Sequence, residues 1–243
     1  MGAEYASQIN QQLPIVQDPE INRYINVLGD SIARVSDQRD LDWHFYVVNS
    51  PEVNAFAVPG GYIYINRGLI ERAPTMAEVA GVLGHEIGHV TKRHSVKQMQ
   101  SQQKANIGVT LLCVLTPDVC NNQAAGAAIN LGANAAFAKF SRDDEAEADE
   151  SGVQYVTRAG IDPRGIPEMF EILLQERRAR PGGVDAFFAT HPLEESRIDA
   201  TRAQISKQVA PAQLTRLASD SPAFRAFKQR LRSLPAAPQA RAQ

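Results

Sequence analysis

The chain has 243 residues, a length that fits one large domain. Apolar residues make up 44% and charged residues 21%, which excludes wholesale disorder. The net charge of −2 gives no global attraction to nucleic acid, and no apolar run reaches the roughly 20 residues of a membrane helix, so we expect neither a nucleic-acid partner nor a transmembrane segment.

The first third of the chain predicts a helix followed by a small β-sheet. Residues 18–35 carry an apolar stripe at helical spacing behind Asp18 and Pro19, which are typical of a helix start. Three strand-like segments follow, at residues 41–48, 54–58 and 62–66. Because Pro59 ends the second segment, we expect residues 54–58 to form an edge strand.

The rest of the chain predicts mostly helices. Thr75 and Glu78 form a capping box that opens a long helix, and the apolar pattern extends this helix to about residue 100. A small-residue helix resumes near Ala124 and runs, with a break near Ser141, to Gly160. Further helices are expected at residues 164–179, at residues 193–209 and around Phe224, Phe227 and Leu231. Long helices with one small early sheet predict an α+β domain.

The strongest chemical signal is the motif His85-Glu86-Ile87-Gly88-His89 inside the long helix. Because residues four apart lie on the same helix face, both imidazoles can bind one metal ion. A zinc ion with an open coordination position lowers the pKa of its water to about 7, and Glu86 can accept the proton of that water. The alternative is an exposed helix that carries the motif by chance. His94 lies about 180° around a continuous helix from His85, so we expect an exposed residue there and not a ligand.

An acidic run at residues 143–150 offers a third protein ligand, which catalytic zinc usually needs. Helical spacing places Glu145 and Asp149 on the same stripe as Val153, the expected buried face, whereas Glu147 points the opposite way. Because a buried carboxylate needs a metal or a partner, Glu145 is the predicted third ligand, and Glu147 is its main competitor. Asp149 can accept a hydrogen bond from a ligand imidazole and fix its tautomer. The plain alternative is a solvated acidic helix face.

Four segments in series resemble one family of zinc metallopeptidases, which includes HtpX, the CAAX prenyl protease and the periplasmic protease BepA. These segments are Asn54–Gly61, the H-E-x-x-H helix, Ser141–Asp149, and Thr190-His191-Pro192 followed by Arg197. The resemblance covers about residues 15–210. It implies a mostly helical, gluzincin-type metallopeptidase domain in which the edge strand borders the active-site cleft.

The family resemblance also assigns roles to residues of the motif segments. It implies one Zn²⁺ per chain, His85, His89 and Glu145 as ligands, Glu86 as base, and Asp149 behind the ligands. These roles agree with those from helical spacing. We expect the whole chain, residues 1–243, to be a single domain in which residues 211–243 form a C-terminal helix and a frayed tail.

Two further site residues follow from the resemblance. Arg197 faces the zinc site in the family and is predicted to stabilise the oxyanion of the transition state, whereas the alternative is a surface arginine paired with Glu194. His191 precedes Pro192 in a loop and has two competing catalytic roles, donation to the oxyanion or occupation of the open metal position as a fourth ligand that holds the enzyme off. The plain alternative is a histidine that hydrogen-bonds only its loop. We expect a substrate-free structure to place His191 near the metal.

The predicted edge strand offers a way to bind substrate. An extended peptide can add to Asn54, Ala55, Phe56 and Ala57 through backbone hydrogen bonds that do not depend on its sequence. This mode favours an endopeptidase that acts on extended or unfolded polypeptides. The alternative is a plain edge strand that Pro59 ends.

Cys113 and Cys120, which flank Pro117, are the only cysteines of the chain. They are a candidate disulfide, which would suit the periplasm and not the cytoplasm. Two small buried thiols explain the sequence equally well.

Cellular location follows mainly from the resemblance. It favours a bacterial periplasmic protein, and we interpret Met1-Gly2 as a start that replaces a removed export signal. The sequence alone equally allows a cytoplasmic protein, and association with a membrane surface stays open. The membrane helices of HtpX and the prenyl protease and the C-terminal helical repeats of BepA are not expected here.

The leading functional hypothesis is a zinc endopeptidase in protein quality control of the cell envelope. One alternative is an autoinhibited or non-cleaving, chaperone-like module that binds extended chains. A weaker alternative is a zinc aminopeptidase. The intact base Glu86 argues against a module without activity.

Overall fold

Helices surround one small sheet in the computed structural model, which describes residues 2–38, 40–100, 139–179 and 184–235. The helices are α1 (Gly2–Gln12), α2 (Pro19–Ala33), α3 (Arg67–Arg72), α4 (Met76–Thr91), α5 (Arg142–Arg158), α6 (Gly165–Ala179), α7 (Asp185–Thr190), α8 (Glu195–Gln208), α9 (Pro211–Leu214) and α10 (Pro222–Arg232). The strands are β1 (His44–Val48), β2 (Ala55–Val58) and β3 (Tyr62–Asn66). This arrangement is the predicted α+β class.

The sheet has the strand order β1-β3-β2, with β1 parallel and β2 antiparallel to β3. The strand β2 therefore lies at an edge, as Pro59 predicted, and it packs against α4. Gly60 and Gly61, between β2 and β3, have φ angles of 101° and 96°. Glycine enters this left-handed region without steric cost, which explains how so short a turn closes the pair.

The core lies between the sheet and the helices α2, α4, α5 and α6. The helix α4 is buried along almost its entire length, and the predicted capping box opens it, since the Thr75 backbone N–H donates to Glu78 Oε2 at 2.9 Å. Phe224 and Phe227 of α10 pack against Tyr24 of α2. None of the helices in the described ranges combines the length and the apolar character that a membrane crossing needs.

The prediction of one continuous helix to residue 100 is wrong. The helix α4 ends at Thr91, and Arg93 has a φ of 60°, a left-handed conformation that a non-glycine residue rarely adopts. Residues 94–100 are helical again after this interruption. The apolar pattern continues across this corner, so it does not reveal the break.

The structure confirms that a helix begins after Ser141 and that it ends at Gly160, as predicted. Ser141 caps α5 in a reciprocal pair with Asp144. Gly160 has a φ of 80°, and the Ile161 N–H donates to Val156 O at 2.9 Å, the arrangement of a Schellman motif. The segment from Ala124 toward residue 138 and the pair Cys113 and Cys120 lie outside the described residues.

Candidate active site

The candidate ligands lie where α4 and α5 approach each other most closely. A Cβ atom on Gly84 would lie 2.8 Å from Val156 Cγ1, and one on Gly88 would lie 2.9 Å from Ala148 O. A Cβ atom on Gly152 would lie 3.1 Å from the backbone nitrogen of His85. Because glycine occupies all three positions, the helix backbones can come close enough for acidic side chains of α5 to reach the histidines of α4.

Four buried side chains converge at this contact, namely His85, His89, Glu145 and His191. The His85 and His89 Nε2 atoms are 3.0 Å apart, and His191 Nδ1 lies 3.3 Å from His85 Nε2. Glu145 Oε1 lies 3.0 Å from His191 Nδ1 and 3.4 Å from His89 Nε2. The structure thus brings together the three ligands predicted from sequence and places His191 beside them.

This donor set fits a four-coordinate metal ion. Metal–nitrogen and metal–oxygen bonds of about 2.0–2.1 Å separate the corners of a tetrahedron by about 3.3–3.4 Å. Four of the six distances between these atoms are 3.0 to 3.4 Å, close to this value, and all four atoms lie within 4.8 Å of one another. Three imidazole nitrogens and a carboxylate oxygen are donors that Zn²⁺ accepts readily.

The protonation states of His89 and Glu145 favour metal binding. Burial lowers the pKa of His89 well below its ordinary value, and the neighbouring His85 lowers it further, so His89 stays neutral. Burial alone would raise the pKa of the Glu145 carboxyl. The imidazoles of His191, His89 and His85 have a larger opposite effect and hold this pKa well below its usual range. Neutral imidazole and ionised carboxylate are the forms that bind a metal.

Glu86 is buried at the edge of the cluster, and its carboxylate has no hydrogen-bond partner within the described ranges. The Nε2 atom of His191 lies 3.5 Å from Glu86 Oε1. Burial raises the pKa of the Glu86 carboxyl. Buried polar groups normally have partners, so an unpaired carboxylate beside a cluster of ligand atoms indicates a site for water and its proton.

Asp149 supports His85 from behind. Its Oδ1 atom lies 2.9 Å from His85 Nδ1, so the Nδ1–H can donate to the carboxylate and leave Nε2 unprotonated for a metal. This is the contact that helical spacing predicted for Asp149.

Arg197 also lies at the site, where it binds carboxylates. Its Nε and Nη2 atoms donate to Asp149 at 2.9 and 2.8 Å, and its Nη1 atom donates to Glu145 and to Pro192 O. The alternative pairing with Glu194 is absent, since Glu194 accepts from Arg142. These contacts use four of the five guanidinium N–H groups, so the geometry favours a role in holding carboxylates, and the oxyanion role stays a prediction.

The expectation that His94 is exposed is wrong. The side chain is buried, and its Nδ1 atom lies 2.9 Å from His89 Nδ1. The estimate of 180° assumed a continuous helix, and the corner at Arg93 turns His94 back toward the cluster. Glu147, the competitor of Glu145, is exposed and bonds His94 at 3.0 Å instead of joining the ligand atoms.

The predicted substrate-binding residues lie on or next to β2. The Asn66 N–H donates to Asn54 O at 2.9 Å, and the register pairs Phe56 with Tyr64 and Ala57 with Ile63. Hydrogen-bonded pairs alternate in an antiparallel ladder, so the backbone groups of Ala55 and Ala57 point away from β3. Within the described ranges, no other strand pairs with this outer edge.

Comparisons with known proteins agree with this geometry. The model of peptidase family M48 matches residues 19–205. The chain is 33% identical over 211 residues to the beta-barrel assembly-enhancing protease of Escherichia coli (strain K12). This alignment covers 83% of this chain and 42% of that protein. It is also 30% identical over 181 residues to the metalloprotease LoiP of the same organism, in an alignment that covers 74% of this chain and 68% of that protein.

A mitochondrial metalloendopeptidase is also similar to this chain. The mitochondrial metalloendopeptidase OMA1 of Schizosaccharomyces pombe is 28% identical over 211 residues, which covers 85% of this chain and 60% of that protein. The chain thus spans less than half of the beta-barrel assembly-enhancing protease and less than two thirds of OMA1.

Proposed function

We propose that this chain, which belongs to peptidase family M48 and is a metalloprotease, is a zinc-dependent endopeptidase that cleaves extended or unfolded polypeptides. The observation that carries the proposal is the buried set His85, His89, Glu145 and His191, with the unpaired carboxylate of Glu86 beside it. Three imidazole nitrogens and a carboxylate oxygen within 4.8 Å of one another support Zn²⁺ as the metal, with one ion per chain.

The side chains of the site divide the chemistry among them. When bound, Zn²⁺ would supply a Lewis acid that polarises the peptide carbonyl and makes water more acidic. Glu86 takes the proton of the attacking water and returns it to the leaving amine, a role that its burial and its raised pKa support. Asp149 fixes the tautomer of His85, and Arg197 holds Asp149 and Glu145 in place.

An extended substrate would bind along the outer edge of β2, at Asn54, Ala55, Phe56 and Ala57. The outward backbone groups of Ala55 and Ala57 can pair with any peptide in a β conformation, since such bonds do not depend on side chains. This edge strand favours internal cleavage over removal of single residues from an end, which is the aminopeptidase alternative.

Replacing Ala57 by proline tests this binding mode. Proline removes the outward N–H without removing a bond of the β2–β3 ladder, so turnover of an unfolded protein should fall by about tenfold or more while zinc content stays at one ion per chain. Ala57→Ser keeps the N–H and serves as the matched control. Loss of zinc together with turnover would mean that the strand only supports the fold, and equal turnover of both variants would exclude the edge as the binding surface.

We propose that His191 occupies the fourth metal position at rest and is displaced by substrate. Its Nδ1 atom lies among the ligand atoms, while its Nε2 atom faces Glu86 at 3.5 Å, where water would otherwise lie. Its ring stacks on Phe187 at 5.0 Å. Once displaced, His191 could donate a hydrogen bond to the oxyanion, so both predicted roles are compatible with one loop that moves.

The variant His191→Ala separates these two roles. A capped resting state competes with substrate, so its removal should lower the Michaelis constant. Loss of an oxyanion donor should lower kcat by about 100-fold. Steady-state kinetics on an unfolded protein substrate measures both constants. Unchanged values of both would exclude His191 from the reaction.

The biological setting is proposed from the relatives. Similarity to the beta-barrel assembly-enhancing protease supports quality control of proteins in the bacterial cell envelope, with the chain in the periplasm. Unfolded envelope polypeptides would then be its substrates. The alternative, a module that binds extended chains without cutting them, would keep zinc binding and show no turnover, as would an enzyme held in the capped state.

A further inference from the structure

The second nitrogen of each ligand histidine on α4 has a different partner. His85 bonds the carboxylate of Asp149 directly, whereas His89 Nδ1 lies 2.9 Å from the Nδ1 atom of another histidine, His94. His94 Nε2 lies in turn 3.0 Å from Glu147 Oε2. The three side chains His89, His94 and Glu147 form a line that leads from the ligand cluster to the protein surface, and we call it the outer relay.

Only one arrangement of protons satisfies the outer relay and leaves His89 able to bind a metal. His89 Nε2 lies among the ligand atoms and must be unprotonated to bind, so the proton of the neutral ring is on Nδ1. His89 Nδ1–H then donates to His94 Nδ1. A neutral His94 carries its own proton on Nε2, which donates to the carboxylate of Glu147.

We propose that His94 is a positioning residue that holds His89 in its metal-binding tautomer, and that Glu147 fixes His94. The inference rests on the proposed metal centre. Partners behind a ligand imidazole orient the ring and set its tautomer, and their loss typically lowers metal affinity by about 10- to 100-fold. His89 and His85 thereby receive separate supports, although both ligands come from one helix.

The burial of His94 and the backbone conformation next to it are consistent with this contact. The side chain of His94 has 0% exposure, and Arg93 adopts its φ of 60° immediately before it. Non-glycine residues in this region cost energy and persist where the surroundings demand them. Phe140 stacks on His89 at 4.0 Å and lies 6.2 Å from the ring of His94, so both rings are held from the side as well.

Two variants separate the hydrogen bond from ring packing. His94→Phe keeps the ring volume and removes both nitrogens, whereas His94→Asn loses the ring and keeps an acceptor near the position of Nδ1. We expect the zinc affinity of the full chain, measured by competition with a chelator of known affinity, to fall by about 10- to 100-fold in His94→Phe. His94→Asn should retain an affinity within about threefold of the wild type, because it replaces the lost acceptor.

The outcomes of this experiment distinguish the inference from the proposed function. A wild-type chain that binds no zinc would overturn the proposed function. If wild type binds zinc and His94→Phe binds it equally well, only the positioning role of His94 is overturned. Loss in His94→Asn but not in His94→Phe would assign His94 to packing alone. Melting temperatures of the metal-free proteins identify a variant that fails to fold.

A milder pair of variants keeps the inference testable if both His94 variants unfold. Glu147→Gln weakens the outermost bond of the relay, and Glu150→Gln removes the same charge from an exposed position of the same helix. Because the Glu147 side chain is half exposed and its interaction is screened, we expect only a few-fold loss of zinc affinity in Glu147→Gln and none in Glu150→Gln. Equal affinities of the two variants would remove Glu147 from the relay.

Discussion

Replacing Glu145 by alanine is expected to abolish tight zinc binding and, with it, all peptide cleavage. Glu145 is the only carboxylate among the four convergent ligand side chains in the described ranges, and it lies 3.4 Å from His89 Nε2. Its loss removes both a ligand atom and the negative charge that offsets the metal ion. The fall in zinc affinity should therefore exceed the roughly 10- to 100-fold effect of losing a partner behind a ligand.

The matched control is Glu147→Ala, two residues further along the same helix. Glu147 points to solvent and contacts the cluster only through His94, so its loss should lower zinc affinity by a few-fold at most. Arg197 keeps its bonds to Asp149 and Pro192 in the Glu145 variant, so the fold should survive. Zinc binding by both variants is measured as metal content after gel filtration and as affinity in competition with a chelator. Tight zinc in Glu145→Ala together with its loss in Glu147→Ala would reverse the assignment.

Helical spacing alone predicted the part of the site that lies within α4 and α5. Once a segment is helical, residues four apart share a face, so the position of His85 determines that of His89, and Glu145 determines Asp149. The start of α5 after Ser141 also has a local cause, because a serine followed three residues later by an acidic side chain is a capping signal.

The contact of His94 with His89 could not be predicted in this way. It depends on the conformation of Arg93, whose φ of 60° ends α4. Glycine or asparagine would have signalled such a corner, and arginine does not. A pattern that assumes a straight helix therefore places His94 on the wrong side.

The placement of His191 and Arg197 depends on tertiary structure. His191 follows α7 and Arg197 lies in the first turn of α8, both more than 40 residues after Glu145, so no local period relates them to α5. The family resemblance, and not the spacing, indicated them. The short helices α3, α7 and α9 were not predicted, because fewer than two turns contain too few apolar positions to show a helical period.

Replacing Glu86 by glutamine is expected to separate metal binding from catalysis. Glu86 is next to His85 but is not one of the four convergent ligands, so Glu86→Gln should still bind one zinc ion per chain. Glutamine has nearly the same shape and cannot accept a proton from water. Turnover should therefore fall by several orders of magnitude. A positioned general base typically contributes about 10²- to 10⁴-fold, and we expect a loss at or above the upper end of that range.

The central claim is that a zinc ion and the Glu86 carboxylate together hydrolyse internal peptide bonds. It is tested most directly by the rate at which wild type and Glu86→Gln, each loaded with one zinc ion, cleave unfolded casein, with the fragments identified by mass spectrometry. We predict internal fragments from wild type and almost none from the variant at equal zinc content. Equal cleavage by both proteins, or zinc binding without any cleavage by either, would contradict the claim.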